Sequence, residues 1–401
     1  MNPWLETLQK KNTQLQNDGL VRRLQMRESP NAPEVQLEGK TLLSFCSNDY
    51  LGLSNHPFLA EALAVGAVQF GVGSGASPLI SGHTNAHAKL EQALAQTQNF
   101  HIPNVSSCLM STGFMANVGA LTALASLGQI SFFSDSLNHA SIIDGIRFAK
   151  TCHQATVSIF QHSDYDHLKS LLELDQNTLK CIVTDGVFSM DGDIANLPKL
   201  LSLAEQYSAL LYVDDAHGFG VLGENGHGSL EHFGLNSSLL IYMGTLGKAA
   251  GISGAFLASG NLWIDWFTQA ARPLIYSTNT SPALSHALMN SLELMHSSDG
   301  ATRREKLFNN IHVWHKNAVF KRWHCLQSST PIQPLIIGDN NETLFVSRRL
   351  KEKGIWVPAI RPPTVPINSA RLRITLNADH TPEMVYQLLH TLKEIETEIN
   401  E

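Results

Sequence analysis

Charge is what this sequence has least of. Only 16% of its 401 residues are Asp, Glu, Lys or Arg, against about 25% in an ordinary soluble domain. The deficit is uneven, since no such residue occurs at 62–88 or at 102–134. Runs without charge raise the possibility of a membrane helix, which needs about 20 predominantly apolar residues. Neither run supplies them. The first is broken by Gly66, Gly71, Gly73, Gly75 and Gly82, the second by Pro103, Ser106, Ser107, Ser111, Asn117 and Gln129. Residues 1–14 include Glu6, Lys10 and Lys11 and lack the apolar core of a signal peptide. A soluble, cytoplasmic protein is expected.

Other absences narrow the function. Basic residues number 28 against 35 acidic, for a net charge of −7, and they form no block, which argues against a nucleic-acid surface. The five cysteines (Cys46, Cys108, Cys152, Cys181, Cys325) contain no C-x-x-C pair, so reduced thiols are expected rather than a disulfide framework. Despite 18 histidines there is no H-E-x-x-H. His83 and His87, at i and i+4, lack an obvious third ligand, so no metal is expected. A G-x-S-x-G hydrolase elbow is also missing, the nearest string, Gly251-Ile252-Ser253-Gly254-Ala255, failing at its last position.

What is present is alternation. Residues 1 to about 28 read as an amphipathic helical lead-in, with Leu5, Leu8, Leu15 and Leu20 loosely at helical spacing. Strands are predicted at 41–46, 105–110, 130–133, 179–184, 209–213 and 239–243, and helices at 90–98, 114–127 and 198–207. This pattern predicts an α/β fold, a mostly parallel central sheet with helices on both faces. After about residue 285 the chain turns to charged helices, with strands at 332–337 and 371–376. The expected divisions are an N-terminal helical segment and short strand (1–45), a large domain (46–285) and a smaller C-terminal α/β domain (286–401).

Parallel sheets bind ligands at the carboxyl ends of their strands. Past 105–110 comes Ser111-Thr112-Gly113-Phe114, and past 130–133 comes Asp135-Ser136-Leu137-Asn138-His139. The next three strand ends deliver Asp185-Gly186-Val187-Phe188-Ser189, Asp214-Asp215-Ala216-His217 and Gly244-Thr245-Leu246-Gly247-Lys248. A lysine, histidines, a carboxylate and a helix start for an anion are the needs of a pyridoxal phosphate site. Lys248 would form the Schiff base, a carboxylate would keep the ring nitrogen protonated, and Gly113 with Thr245 would hold the phosphate. Taken singly, each has a plainer reading. Asp214 could cap a turn, His139 could be a satisfied buried histidine, and Ser189 could be structural. Lys248 is harder to dismiss, being the only Asp, Glu, Lys or Arg between Glu231 and Asp265.

Two glycine patterns compete. Gly218-Phe219-Gly220-Val221-Leu222-Gly223 is a literal G-x-G-x-x-G after a strand, but no helix start follows and the acidic ribose ligand about 20 residues on is missing. Gly71-Val72-Gly73-Ser74-Gly75-Ala76 nearly matches, yet follows a helical pattern. Neither reads as a dinucleotide site.

Six segments in order resemble the α-oxoamine synthases, among the fold-type I (aspartate aminotransferase-like) pyridoxal phosphate enzymes. They are Ser47-Asn48-Asp49-Tyr50-Leu51-Gly52-Leu53, Phe70-Gly71-Val72-Gly73-Ser74-Gly75, Asn138-His139-Ala140-Ser141, residues 184–192, Val213-Asp214-Asp215-Ala216-His217-Gly218 and Gly244-Thr245-Leu246-Gly247-Lys248-Ala249. Two C-terminal stretches, 359–366 and 371–376, are most similar to members that join L-alanine to a pimeloyl thioester in biotin synthesis. The acyl carrier there is an acyl carrier protein or coenzyme A. A glycine-using acetyltransferase is the alternative, followed by other members and by a catalytically silent cofactor-binding scaffold.

The resemblance implies roles. Lys248 attaches pyridoxal 5'-phosphate and serves as general base, Asp214 pairs with the ring nitrogen, His217 and Ser189 meet the phenolic oxygen, and His139 stacks on the ring. Gly113, Phe114 and Thr245 take the phosphate, with Thr278 reaching it from a neighbouring subunit of a homodimer. Asn48 and Arg373 hold the alanine carboxylate. Arg22 and Thr364 match substrate contacts, although Arg23 leaves the first ambiguous by one position. Ala255 departs from a glycine common in the family, and Pro273 precedes Thr278.

Overall fold

The apolar runs and the helical segments between them build two units in the computed structural model, which describes residues 2–400. One unit takes the chain up to Asn48, Met190–Gly192, and everything from Lys306 on; the other takes Asp49–Ser189 and Asp193–Glu305.

The chain starts in the first unit with a helix, Pro3–Asn17, and a hairpin of β1 (Glu34–Leu37) and β2 (Lys40–Ser44). The predicted lead-in helix to about residue 28 is therefore too long. No residue of Pro3–Asn17 is buried, so its leucines have no core to extend it, and Gly19 at φ 63° lies in the left-handed region just beyond.

The larger unit holds a seven-stranded sheet. In chain order the strands are β3 (Val105–Met110), β4 (Ile130–Asp135), β5 (Thr156–Phe160), β6 (Leu179–Asp185), β7 (Leu210–Asp214), β8 (Leu240–Thr245) and β9 (Ala255–Gly260). Across the sheet the order is β3-β9-β8-β7-β6-β4-β5. Only β9 is reversed, running antiparallel to both β3 and β8. The central strands are covered on both faces, which is why their sequences read as continuous apolar runs rather than alternating ones: Cys181, Ile182 and Val183, then Leu211, Tyr212 and Val213, are all fully buried.

Burial also explains one of the two charge-free runs. In 102–134, β3, the helix Gly113–Ala125 and the start of β4 bury Met110, Ala116, Ala120, Leu121, Leu124, Phe132 and Phe133. The run 62–88 is different. It leaves Val68, Val72 and Ile80 exposed at 90%, 83% and 80%.

Back in the first unit, β10 (His324–Cys325), β11 (Ile332–Gly338), β12 (Ile355–Trp356), β13 (Ala359–Ile360) and β14 (Ala370–Thr375) complete two small sheets, β1-β2-β12 and β10-β11-β14-β13. Phe45, following β2, stacks on the ring of His380 at 4.3 Å. No helix among the described residues is long and apolar enough to cross a membrane.

Candidate active site

The carboxyl ends of β4, β6, β7 and β8 converge with the start of the helix Gly113–Ala125 on a pocket of about 190 Å³. Of the residues singled out from the sequence, Gly113, Phe114, His139, Asp214, His217, Thr245 and Lys248 all line it. Ser189 and Thr278 belong to the same unit but do not line it, and Thr278 is exposed.

Lys248, three residues past β8, places Nζ 2.9 Å from Nε2 of His217. The other ring nitrogen of His217, Nδ1, lies 2.5 Å from the hydroxyl of Tyr50, a fully buried side chain. A phenol, an imidazole and an amine thus form one hydrogen-bonded chain, and Tyr50 fixes the imidazole's rotation.

Asp214 ends β7 directly opposite Asp185, which ends β6. Its carboxylate is 2% exposed and accepts two N–H donors, Asn117 Nδ2 at 2.7 Å and the Ala216 amide at 3.0 Å. Asn117 is itself saturated, donating to Ser141 Oγ at 2.8 Å and accepting from the Tyr212 hydroxyl at 2.7 Å. These two donors fix the orientation of the Asp214 carboxylate. At Asp185, burial first, then the neighbouring Asp214, push the pKa well above the usual carboxylate range, against the His139 amide that donates to it at 2.8 Å.

His139 caps the helix Ala140–His153, its Nδ1 accepting from the Ser141 amide at 3.2 Å and facing Ser141 Oγ at 2.6 Å. An acceptor at Nδ1 puts the proton of the neutral ring on Nε2. Burial lowers its pKa, and Lys248 adds to the effect while Asp214 opposes it, so the neutral ring is the form present near pH 7.

The anion end is built from backbone. Thr112 caps the helix Gly113–Ala125 by accepting from the Met115 amide at 3.2 Å, and the Ala116 amide reaches the Thr112 carbonyl. The Gly113 and Phe114 amides are left with no intrahelical acceptor, and no acidic residue occupies this first turn. Gly113 is required sterically, since a Cβ there would lie 2.8 Å from Cγ2 of Thr245. A pocket with a lysine amine, a buried carboxylate and bare helix amides is the donor set pyridoxal phosphate needs, and the residues present fit it.

The remaining candidates lie in the other unit. Arg373, on β14 and 7% exposed, donates from Nη1 to Asn48 Oδ1 and to Thr375 Oγ1, both at 3.1 Å. Arg22 and Thr364 line one groove with Arg23 and Arg361. Burial first, then the charge of Arg22, lower the pKa of Arg361.

The sequence assigns no role to Tyr50, Asn117, Ser141 or Asp185, although Asp185 stands at a strand end and Tyr50 and Ser141 lie in two of the family-like segments. Asn117 had a usable signal: it lies one turn beyond Gly113 on a helix whose start was already assigned to the anion. Tyr50 lies in the segment 47–53, but nothing local marks its partner, since His217 is 167 positions away. The set-aside glycine pattern at 218–223 has its own explanation. A Cβ at Gly218 would fall 2.1 Å from the buried Oδ1 of Asp215, and Gly220 and Gly223 take φ of 85° and 84°. Gly218 leaves room for the Asp215 carboxylate, and Gly220 and Gly223 supply left-handed turns. His83 and His87 are also spoken for, by Glu91 at 2.8 Å and by Thr84, whose amide His87 accepts at 3.1 Å.

The sequence matches the aminotransferase class I and II family over residues 40–392. It is 50% identical over 396 residues to the 8-amino-7-oxononanoate synthase of Janthinobacterium sp. (strain Marseille), covering 99% of each chain. Its identity to the enzyme of the same name from Nitrosospira multiformis is 50% over 383 residues, covering 96% of this chain and 94% of the other. Among solved structures, a variant of the serine palmitoyltransferase from S. paucimobilis with a bound pyridoxal phosphate–myriocin aldimine superposes with a TM-score of 0.88 at 26% identity, covering 98% of each chain. The 8-amino-7-oxononanoate synthase of Francisella tularensis superposes with a TM-score of 0.74 at 30% identity, covering 89% of this chain and 99% of the other.

Proposed function

The chain belongs to the aminotransferase class I and II family, in its α-oxoamine synthase branch with the fold-type I architecture, and we propose that it makes 8-amino-7-oxononanoate. The reaction is a decarboxylating condensation of L-alanine with a pimeloyl thioester, on acyl carrier protein or coenzyme A, releasing carbon dioxide and the free thiol carrier in biotin synthesis. The observation that carries this reading is identity of 50% over nearly the whole chain to synthases of that name.

Bound pyridoxal phosphate supplies the electron sink that makes a carbanion at the amino acid's α-carbon accessible. The chain's own groups do the rest. Lys248 Nζ is the attachment point and the base that takes the α-proton of alanine. His217, oriented by Tyr50, would present to the cofactor's phenolic oxygen the Nε2 that otherwise meets Lys248, with Ser189 as a second donor there. Asp214, held by its two N–H donors, pairs with the ring nitrogen. His139 lies against the ring and, as a neutral imidazole, can carry a proton during condensation and carbon dioxide loss. The amides of Gly113 and Phe114 and the hydroxyl of Thr245 bind the phosphate, with Thr278 of a second subunit. Arg373 and Asn48 bind the alanine carboxylate, guanidinium against carboxylate being a bidentate pair. Arg22 and Thr364 contact the acyl substrate.

A cytoplasmic homodimer accompanies this reading. The exposed Val68, Val72 and Ile80, in a stretch without charge, are what a subunit interface would cover. Purified protein should show the visible absorption of its cofactor, and L-alanine should shift it. A shift with glycine and none with alanine would move the assignment to a glycine-using acetyltransferase.

A further inference from the structure

Outside the proposed machinery, two strand-end loops meet on a histidine. His162, two residues past β5, lies between two carboxylates: Nδ1 is 3.0 Å from Asp135 Oδ1, and Nε2 is 3.0 Å from Asp193 Oδ2. Both oxygens belong to groups that only accept when ionised, so both ring nitrogens must donate, which only an imidazolium can do. Asp135 and Asp193 are the charged groups that face the ring. Its other neighbours are neutral: Phe188 lies edge-on at 4.5 Å, and the Ser163 hydroxyl is 3.5 Å from Nε2. Burial works against the charge, but the two carboxylates outweigh it and raise the pKa to about 10.

The two carboxylates stand at the roots of the two loops. Asp135 ends β4 and accepts the Leu137 amide at 2.8 Å, shaping the turn that leads to His139. Asp193 accepts the Phe188 amide on its carbonyl at 3.0 Å, closing the loop that carries Ser189. We propose that His162 is a positioning residue, a doubly bonded imidazolium that ties the turn carrying His139 to the loop carrying Ser189. The proposal rests on the reading that those two residues face the cofactor.

The test compares holoenzyme of the wild type, His162→Phe and Asp193→Asn. In the wild type, nitrogen-15 NMR of labelled histidine should show both ring nitrogens of His162 protonated at about pH 8, and Asp193→Asn should bring its titration down toward the free value of about 6.5. A neutral ring in the wild type at that pH overturns the proposal. In His162→Phe, kcat should fall about tenfold to a hundredfold with KM for L-alanine within about threefold, because orientation is lost and binding is not. Amide exchange should accelerate together in 136–139 and 187–195. An unchanged kcat, or exchange that rises in neither segment, overturns the proposal. If His162→Phe fails to fold, Asp193→Asn, which keeps the shape of the site, carries the kinetic and exchange tests. Failure of the functional reading itself would appear in the wild type as no response to alanine, and the NMR and exchange measurements would still judge the clamp.

Discussion

Asn117→Ala tests the polar arrangement beneath the pocket. Asn117 bonds the Asp214 carboxylate at 2.7 Å and relieves the Tyr212 hydroxyl at 2.7 Å, and Asn117 and Tyr212 are both fully buried. The bond to the carboxylate is charge-assisted and contributes about 1.5–3 kcal/mol, and a stranded buried hydroxyl costs about 1–3 kcal/mol. The single substitution should therefore destabilise the cofactor-free protein by about 2.5–6 kcal/mol. Tyr212→Phe alone strands the amide oxygen of Asn117, for about 1–3 kcal/mol. The double variant has no orphan on either side and loses only the bond to the carboxylate, so it should cost about 2–6 kcal/mol less than the sum of the two. The assay is equilibrium urea unfolding of all four proteins, with a parallel titration of cofactor binding, which should weaken in Asn117→Ala because Asp214 has lost a donor. Costs that add to within about 0.5 kcal/mol would refute the reasoning, since contacting groups in one network should couple.

Three further outcomes follow from the geometry. Gly113→Ala places a methyl 2.8 Å from Thr245 Cγ2, and spectroscopic titration should find cofactor affinity lowered about tenfold, equivalent to about 1.4 kcal/mol. His380 donates from Nε2 to the Ser44 carbonyl and accepts the Asn377 amide on Nδ1; burial, against the Ser44 bond, lowers its pKa to about 4. The unfolded chain therefore takes the proton first, and stability is full above about pH 6.5 and is lost as pH falls toward 4, by about 3 kcal/mol. Urea midpoints against pH should show that loss in the difference between wild type and His380→Phe, and parallel curves would contradict it. Arg373→Lys keeps the charge but not the planar fork, so KM for L-alanine should rise about tenfold while Tm is little changed.

Strand ends were the legible part of this site. Reading just past each apolar run reaches Asp135, Asp185, Asp214 and Lys248 because parallel strands all deliver their carboxyl ends to one edge. The reversed β9 was not legible, since an antiparallel strand between two parallel ones has the same apolar pattern. Local spacing was equally blind to partners: Asn117 reaches Asp214 across 97 positions and Tyr50 reaches His217 across 167. The N-terminal helix was overextended for a related reason. Helical spacing marks a face, but not whether anything covers it, and all of Pro3–Asn17 is exposed. The two charge-free runs look alike in sequence and differ in cause. One is the covered core around β3 and β4, and the other leaves Val68, Val72 and Ile80 exposed.

The most direct test of the central claim is product formation by purified wild type and Lys248→Ala, with alanine, glycine and serine each crossed with acetyl, succinyl, pimeloyl and palmitoyl thioesters. The account predicts 8-amino-7-oxononanoate and carbon dioxide from L-alanine with the pimeloyl thioester in the wild type, and none from Lys248→Ala. Turnover that is fastest with any other pair, or that survives the loss of Lys248, would contradict it.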